Sequence, residues 1–472
     1  MHSMQQLPDE VKHIAVDLAV IGSGPGGFEA AFRAAKAGMK VCLVEKGALG
    51  GVCVNWGCIP TKALLRSAEV YELFHRASSF GITANSPEID LAAVVKRSRT
   101  VVQKLSKGTG FTLGRSGVEV IQGEALFVSP HDLDVLRDGE CVAAVQAKHF
   151  IIAAGGRLRQ LPGLEPDGER IITSKEALAL KSVPASMIVL GGGAIGVEMA
   201  WFYTKAGSAV TLVEMMPRLL PLEDEEISAA LKRSFEKAGI NVVTGAKLGN
   251  VTKGPDGIIA ALAVEGSESQ SVSADCLLVA VGVTGNCDGL GLEQAGVETS
   301  RGFIVTVGAC RTSAPHIFAI GDVRGGMLLA HKASAEAVVA VDTIKGKNPA
   351  PVDETKIPRC VYAEPSVASI GLSEKQALDQ GYSVRIGRSM FASSGKANAY
   401  GSLDGFVKLV FNAADDRLLG AHLVGHGAVE LIGELALARS LEVTSRQLAS
   451  VIHAHPTLSE TVREAAENAM EH

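Results

Sequence analysis

Two stretches of this chain, 169 positions apart, carry the same punctuation. Val16-Asp17-Leu18-Ala19-Val20-Ile21 reads as a short strand running into Gly22-Ser23-Gly24-Pro25-Gly26-Gly27, then a helical stretch Phe28 to Lys36, then a strand Lys40 to Val44 ending at Glu45. Met187 to Leu190 likewise runs into Gly191-Gly192-Gly193-Ala194-Ile195-Gly196, then a helix, then Ala209 to Val213 ending at Glu214. A lone G-x-G-x-x-G says little, because a chain with 52 glycines in 472 residues is expected to contain roughly 0.6 matches by chance. Two copies in identical context say much more. Each has a strand before it, a helix after it and an acidic residue 18 positions beyond the last glycine, where a ribose hydroxyl would be held. An ordinary strand-to-helix loop is the bland alternative, and it leaves the shared acidic residue unexplained. The chain is expected to bind two dinucleotides, each pyrophosphate resting on backbone N–H groups at a helix N-terminus.

Composition narrows the rest. At 472 residues the chain has room for about three domains. Lys plus Arg is 45 and Asp plus Glu is 51, a formal charge of -6, so no bulk electrostatic case exists for nucleic acid or anionic lipid. Although 47% of residues are hydrophobic, no uncharged apolar run reaches the roughly 18 residues that span a bilayer. Met1 to His13 lacks an apolar segment of the export type, and a cytoplasmic protein is expected. Eight cysteines are too few for a disulfide scaffold. Abundant glycine and only 4% aromatics, with Val and Ile runs ending in Gly, suit parallel sheets buried on both faces.

The expected fold class is α/β: two Rossmann-like dinucleotide-binding domains plus a C-terminal α+β interface domain. Residues 1–155 would form the first part of one dinucleotide domain, 156–282 the second dinucleotide domain, 283–352 the remainder of the first, and 353–472 the interface domain. Asp90 to Leu113 has a helical apolar face, the run Ile317 to Ile320 ends at Gly321-Asp322, and a helix is expected from about Leu329. Glu223-Asp224-Glu225-Glu226 reads as a solvated first helical turn favoured by the helix dipole.

Shortly after Glu45 stands Gly50-Gly51-Val52-Cys53-Val54-Asn55-Trp56-Gly57-Cys58-Ile59-Pro60-Thr61-Lys62. In a regular helix Cys53 and Cys58 would be separated by a rise of about 7.5 Å, too far for a disulfide. A bridge needs a distorted helix, which Asn55 and Gly57 permit. Pro60 suits a first helical turn, which puts Cys58 near a helix N-terminus where a thiolate is stabilised. A zinc site would need two more ligands at suitable spacing and none is nearby; two buried structural thiols are the other alternative. Near the C-terminus, Thr457-Leu458-Ser459-Glu460 fits a capping box, which alone would account for Glu460, and His455 before Pro456 is either a loop residue or a base. His453 lies on the same side as His455 if the stretch is extended. Cys42, Cys141, Cys276, Cys287, Cys310 and Cys360 read as packing residues.

Gly50 to Leu65, read with the two glycine fingerprints, resembles the class I pyridine nucleotide-disulfide oxidoreductases. His453-Ala454-His455-Pro456-Thr457-Leu458-Ser459-Glu460 narrows the resemblance to their dihydrolipoamide-oxidising members, and it extends over nearly the whole chain. Arg311 to Asp322 and Leu329 to Ala333 are similar to the second flavin motif. The resemblance implies that Gly22, Gly24, Gly27 and Glu45 hold the adenosine half of FAD, with Ala125, Gly155 and Ala330 lining it, Asp322 on the ribityl chain and Lys62 by the flavin ring, paired with Glu198. Gly191, Gly193, Gly196, Glu214, Leu248 and Gly282 would bind NAD, and the Glu214 carboxylate would repel the 2'-phosphate of NADP. Cys53 and Cys58 would be the redox-active disulfide, with His455 the general base oriented by Glu460. The same resemblance implies a homodimer in which the base comes from the partner subunit. It implies as physical partner the lipoyl domain of a 2-oxoacid dehydrogenase acyltransferase or a glycine cleavage protein, supplied by another chain because no lipoyl segment precedes Val16. No resident metal is expected.

Val283-Thr284-Gly285-Asn286, Ala154 and Trp56 depart from the family pattern. Other readings are a different FAD-dependent NADH:disulfide reductase, or a flavoprotein with a mainly structural role in a multienzyme complex, which would need none of Cys53, Cys58 and His455.

Overall fold

The computed structural model describes residues 11–83, 87–264, 266 and 268–471. Residues 1–10, most of the stretch read as carrying no export signal, lie outside the described residues. The chain divides into two compact units, each assembled from three separated segments: 1–60, 98–159 and 282–352 in the first, 61–97, 160–281 and 353–472 in the second.

The first unit is built on a twisted sheet whose spatial order is Glu119–Gln122, Val41–Glu45, Lys12–Ile21, Glu140–Ile152, Asp132–Arg137, Glu124–Phe127. Its first four strands run parallel, and the last two form an antiparallel extension. Ile317–Ala319 adds in parallel to the C-terminal end of Glu140–Ile152, pairing Ile317 with Phe150. Alternation is weak and burial continuous at the centre of Lys12–Ile21, where Leu18, Ala19 and Val20 are fully buried, as expected of a strand covered on both faces. Helix Pro25–Lys36 starts three residues before the expected Phe28, because Pro25 takes the first helical position, where its missing N–H costs nothing.

The second unit repeats this plan with the all-parallel order Asn241–Thr244, Ala209–Glu214, Ser186–Leu190, Cys276–Val279, Ile171–Ile172. An antiparallel meander of Ala246–Gly254, Gly257–Val264 and Gln270–Ala274 accompanies it. The same unit contains a five-stranded antiparallel sheet, Arg359–Val361, Ser366–Gly371, Leu418–Gly425, Phe406–Asn412, Val384–Met390. Helices Ala428–Ser440 and Glu460–Asn468 pack on this sheet through Leu435, Val462 and Ala465.

One expectation fails here. The acidic run 223–226 is not a solvated turn: Glu223 and Asp224 are buried. Asp224 caps helix Glu225–Lys237 by accepting the Glu226 N–H at 3.0 Å, and both its oxygens also take the ammonium of Lys408 at 3.1 Å. Glu223 accepts from Arg359 at 2.9 Å. Cations contributed by the C-terminal sheet, invisible from the local run of four acids, convert a solvated face into buried ion pairs.

Candidate functional site

The two glycine turns are superimposable in their bonding. Gly22 N–H donates to Val44 O and Gly191 N–H to Val213 O, both at 2.8 Å. Gly22 has φ +96° and Gly191 φ +112°, a region that disfavours any side chain. A Cβ at Gly27 would stand 1.9 Å from Gly22 O, and one at Gly196 1.8 Å from Gly191 O. The outer glycines are thus demanded by the turn itself. Gly24 and Gly193 are different: a Cβ at either would meet nothing within 4 Å. Each precedes a twelve-residue helix whose first turn receives no side-chain cap. Open space in front of uncapped N–H groups, at the C-terminal edge of a parallel sheet, fits a pyrophosphate in both units.

Each acidic residue secures its turn. Glu45 accepts from Ser23 N–H at 2.9 Å, from the Ser23 hydroxyl at 2.6 Å and from Gly47 N–H at 2.7 Å. Glu214 accepts from Gly192 N–H at 2.6 Å and Met216 N–H at 2.7 Å. Ser23 was not singled out in the sequence, yet its oxygen also accepts the Gly50 N–H at 3.0 Å. It therefore ties the first glycine turn to the segment that leads into Cys53. A Cβ on Gly51 would come within 2.7 Å of the Gly24 Cα, so the two segments touch backbone to backbone.

Cys53 lies in helix Gly51–Trp56 and Cys58 opens helix Cys58–His75. The break expected between them is at Gly57, with φ −139° and ψ −111°. Asn55 fixes the first helix by donating to the carbonyls of Ala48, Leu49 and Gly51 at 2.9 to 3.2 Å. Arg99 buttresses it from helix Leu91–Arg115, donating to Asn55 O at 2.8 Å and stacking its guanidinium 4.6 Å from the Trp56 ring. The departure at Trp56 therefore has a partner, one without a sequence signal. Burial pushes the thiols of Cys276, Cys310 and Cys360 up to about 11 and that of Cys42 up to about 12, so these four stay protonated at neutral pH.

Asp322 sits in the turn Gly321–Arg324 of the first unit, where burial pushes its carboxyl above the usual carboxylate value. Its side chain has no hydrogen-bond partner among the described residues, which fits a ligand hydroxyl. Gly155 has φ +71° and accepts from Asn286 N–H at 3.0 Å. Ala330 is the first residue of helix Ala330–Ile344. Ala125 is buried in the core beside Phe127 and Val135, so only its backbone remains for a ligand. Gly282 has φ +74° and accepts from Arg159 N–H.

In the second unit Lys62 meets Glu198 with both oxygens at 3.0 Å. Tyr362 joins the pair, its N–H donating to Glu198 at 2.9 Å and its ring 4.2 Å from the ammonium. Nothing in the sequence pointed to Tyr362. Leu248 lies on the strand Ala246–Gly254, partly buried against the core formed by the parallel sheet and its meander.

The two C-terminal histidines separate cleanly. The His453 side chain is 6% exposed and bound through Nε2 to Glu434 at 2.8 Å, whereas the His455 side chain is 79% exposed. His455 Nδ1 faces Glu460 Oε1 at 3.0 Å. The capping box is half formed: Thr457 N–H donates to Glu460 Oε2 at 2.9 Å, but the Thr457 hydroxyl turns to Ala454 O at 2.7 Å and the helix begins at Glu460. The Thr457 N–H first, then His455, hold the Glu460 carboxyl below its usual value. Glu460 thus serves the loop and the imidazole together. With Nδ1–H donated to the carboxylate, Nε2 is left as an exposed proton acceptor.

The chain is similar to known proteins over nearly its whole length. The profile of pyridine nucleotide-disulphide oxidoreductases matches residues 16–337, and that of their dimerisation domain residues 357–466. A dihydrolipoyl dehydrogenase of Chlorobaculum tepidum is 63% identical over 455 residues, covering 96% of this chain and 97% of the relative. One from Rhizobium etli is 45% identical, covering 95% and 97%. Among solved structures, LpdA from Mycobacterium tuberculosis has a TM-score of 0.89 at 28% identity, over 96% of this chain and 99% of that one. The HOCl-induced flavoprotein disulfide reductase RclA from Escherichia coli has a TM-score of 0.84 at 26% identity, over the same shares.

Proposed function

The chain belongs to the pyridine nucleotide-disulphide oxidoreductase family, and from that premise we propose that it works as a dihydrolipoyl dehydrogenase, oxidising protein-bound dihydrolipoyl groups to lipoyl while NAD+ becomes NADH. The observation that carries this reading is the exposed imidazole of His455 held by Glu460, a base with no purpose in a scaffold protein.

His455 Nε2 takes the proton of one dihydrolipoyl thiol, and Glu460 favours the imidazolium that results. The thiolate attacks Cys53 Sγ, breaking the Cys53–Cys58 bond and expelling Cys58 as a thiolate. The second substrate thiol, deprotonated in turn, attacks its own sulfur in the mixed disulfide and releases Cys53, so lipoyl leaves oxidised and the two cysteines hold the electron pair. Cys58 at the N-terminus of its helix is the better-stabilised thiolate of the two. FAD, when bound, would supply the transfer of that electron pair to NAD+ as hydride, chemistry no side chain here supplies. Gly22, Gly24, Gly27, Glu45 and Asp322 would hold the flavin nucleotide; Gly191, Gly193, Gly196 and Glu214 would hold NAD.

A homodimer follows from the dimerisation domain, and the base of each centre is assigned to the partner subunit. The physical partner is a lipoyl domain of a 2-oxoacid dehydrogenase or glycine cleavage system, and the compartment the cytoplasm. A steady-state assay with dihydrolipoamide and NAD+, repeated with NADP+ and with Cys53→Ser, tests the proposal. NADH formation that requires NAD+ and disappears in the variant supports it. A flavoprotein that NADH reduces but that leaves dihydrolipoamide untouched moves the substrate to another disulfide.

A further inference from the structure

The segment that carries His455 runs between helices Ser445–Ala449 and Glu460–Asn468 without regular structure. Residues 451, 452 and 454 to 456 are exposed, and in that stretch only the His453 side chain turns inward. Leu458, at the far end, packs against the core of the antiparallel sheet. The hydrogen bonds of the segment are mostly its own. Val451 N–H donates to Leu448 O at 3.2 Å, the Thr457 hydroxyl donates to Ala454 O at 2.7 Å, and both Thr457 N–H and His455 meet Glu460. Among the described residues, a single hydrogen bond ties positions 451–457 to an element other than the two flanking helices: the 2.8 Å contact of His453 Nε2 with Glu434. Glu434 is a firm anchor, because its helix, Ala428–Ser440, is seated on the sheet through the buried Ile432, Leu435 and Ala438.

The His453 ring is fully engaged. Nδ1 faces Val451 O at 3.1 Å and Nε2 faces a carboxylate oxygen. Both oxygens only accept, so both ring nitrogens donate, and no lone pair is left to take a thiol proton. His455 has the opposite arrangement, with one nitrogen on a carboxylate and the other in water. Two imidazoles two residues apart are thereby sorted, one into a strut and the other into a base.

We propose that His453 is a positioning residue: by bridging Val451 O and Glu434 it pins an otherwise exposed segment to helix Ala428–Ser440, and so sets where the His455 imidazole stands when a dihydrolipoyl thiol arrives. A displacement of about 1 Å at a catalytic group can cost about 10^2-fold in rate. This role depends on the assignment of His455 as the base.

The test is a double-mutant cycle on the FAD-loaded enzyme: wild type, His453→Ala, Glu434→Ala and the double variant, with Glu434→Gln and His455→Gln alongside. His453→Ala and Glu434→Ala should each lower kcat with dihydrolipoamide by about 10- to 100-fold, with KM changed less than about threefold and flavin reduction by NADH within about twofold of wild type. The double variant should be no slower than His453→Ala, since both substitutions remove the same bond. Glu434→Gln, which keeps an oxygen to accept the Nε2–H, should hold kcat within about threefold of wild type. If His453→Ala folds poorly, the contrast of Glu434→Ala with Glu434→Gln reads the same contact. A double variant slowed by the product of the two single effects, an equal fall in both half-reactions, or Glu434→Gln as slow as Glu434→Ala overturns the proposal. Wild-type turnover by His455→Gln overturns the base assignment and this inference together. Loss of turnover in His455→Gln with none in His453→Ala overturns this inference alone.

Discussion

His455 Nδ1 and Glu460 Oε1 lie 3.0 Å apart, with the imidazole in solvent and the carboxylate already fixed by the Thr457 N–H. The carboxylate selects the tautomer and the loop selects the carboxylate's orientation. His455→Gln should lower kcat with dihydrolipoamide by ~10^2 to 10^4-fold, and Glu460→Gln by a smaller factor, while NADH reduction of bound flavin stays near wild type. Stopped-flow and steady-state rates separate the two half-reactions. A fall in flavin reduction as large as the fall in kcat would contradict the assignment.

Gly24 and Gly27 should behave oppositely. Gly27→Ala drives a Cβ to 1.9 Å from a carbonyl oxygen and should abolish soluble expression or lower Tm by many degrees. Gly24→Ala meets no protein atom and has φ −59°, so Tm of the apoprotein should hold while FAD affinity falls. Gly193→Ala should likewise leave Tm unchanged and raise KM for NAD+ about tenfold. Calorimetry beside binding titrations reads both.

Lys408 is 2% exposed among Asp224, Glu226 and Glu374. Lys408→Met strands Asp224 as a buried charge and should cost about 3 kcal/mol in urea unfolding. Acid acts on the same cluster. Glu226, hydrogen-bonded first by Arg388, is drawn from 4.5 down to about 2. Its contribution to stability is complete above 4.5 and lost as pH falls from there toward 2. Tm should drop over that window, and drop less in Glu226→Gln.

Glu198→Gln removes the carboxylate from Lys62 while leaving an acceptor for the Tyr362 N–H. With Lys62 a third exposed, the loss should be modest, about 1 kcal/mol. A bound flavin spectrum altered by this variant, at unchanged Tm, would show that the pair serves the chemistry more than the fold.

The parts legible in the sequence were those that backbone chemistry dictates locally. Gly22 to Glu45 and Gly191 to Glu214 could be read because such a strand-to-helix turn needs glycine at fixed positions, and the break at Gly57 because Asn55 and Gly57 permit a distorted helix there. What escaped depends on residues far away along the chain. Glu223 and Asp224 looked solvated because Arg359 and Lys408, 136 and 184 residues away, are absent from any local window. Tyr362, Arg99 and Ser23 escaped for the same reason. His453 and His455 have identical local credentials, and only the placement of Glu434 decides which ring is withdrawn from water.

Strand Ile317–Ala319 completes the sheet that Lys12–Ile21 begins, and the chain passes between its two compact units at residues 60, 97, 159, 281 and 352. A ribosome therefore releases the first glycine turn some 300 residues before the last strand of its own sheet exists. Phe150, Ile151 and Ile152, paired on one side with Ala19, Val20 and Ile21, leave the ribosome 165 residues before their second parallel neighbour begins at Ile317, an open edge that must wait, chaperoned or self-shielded, until that strand emerges.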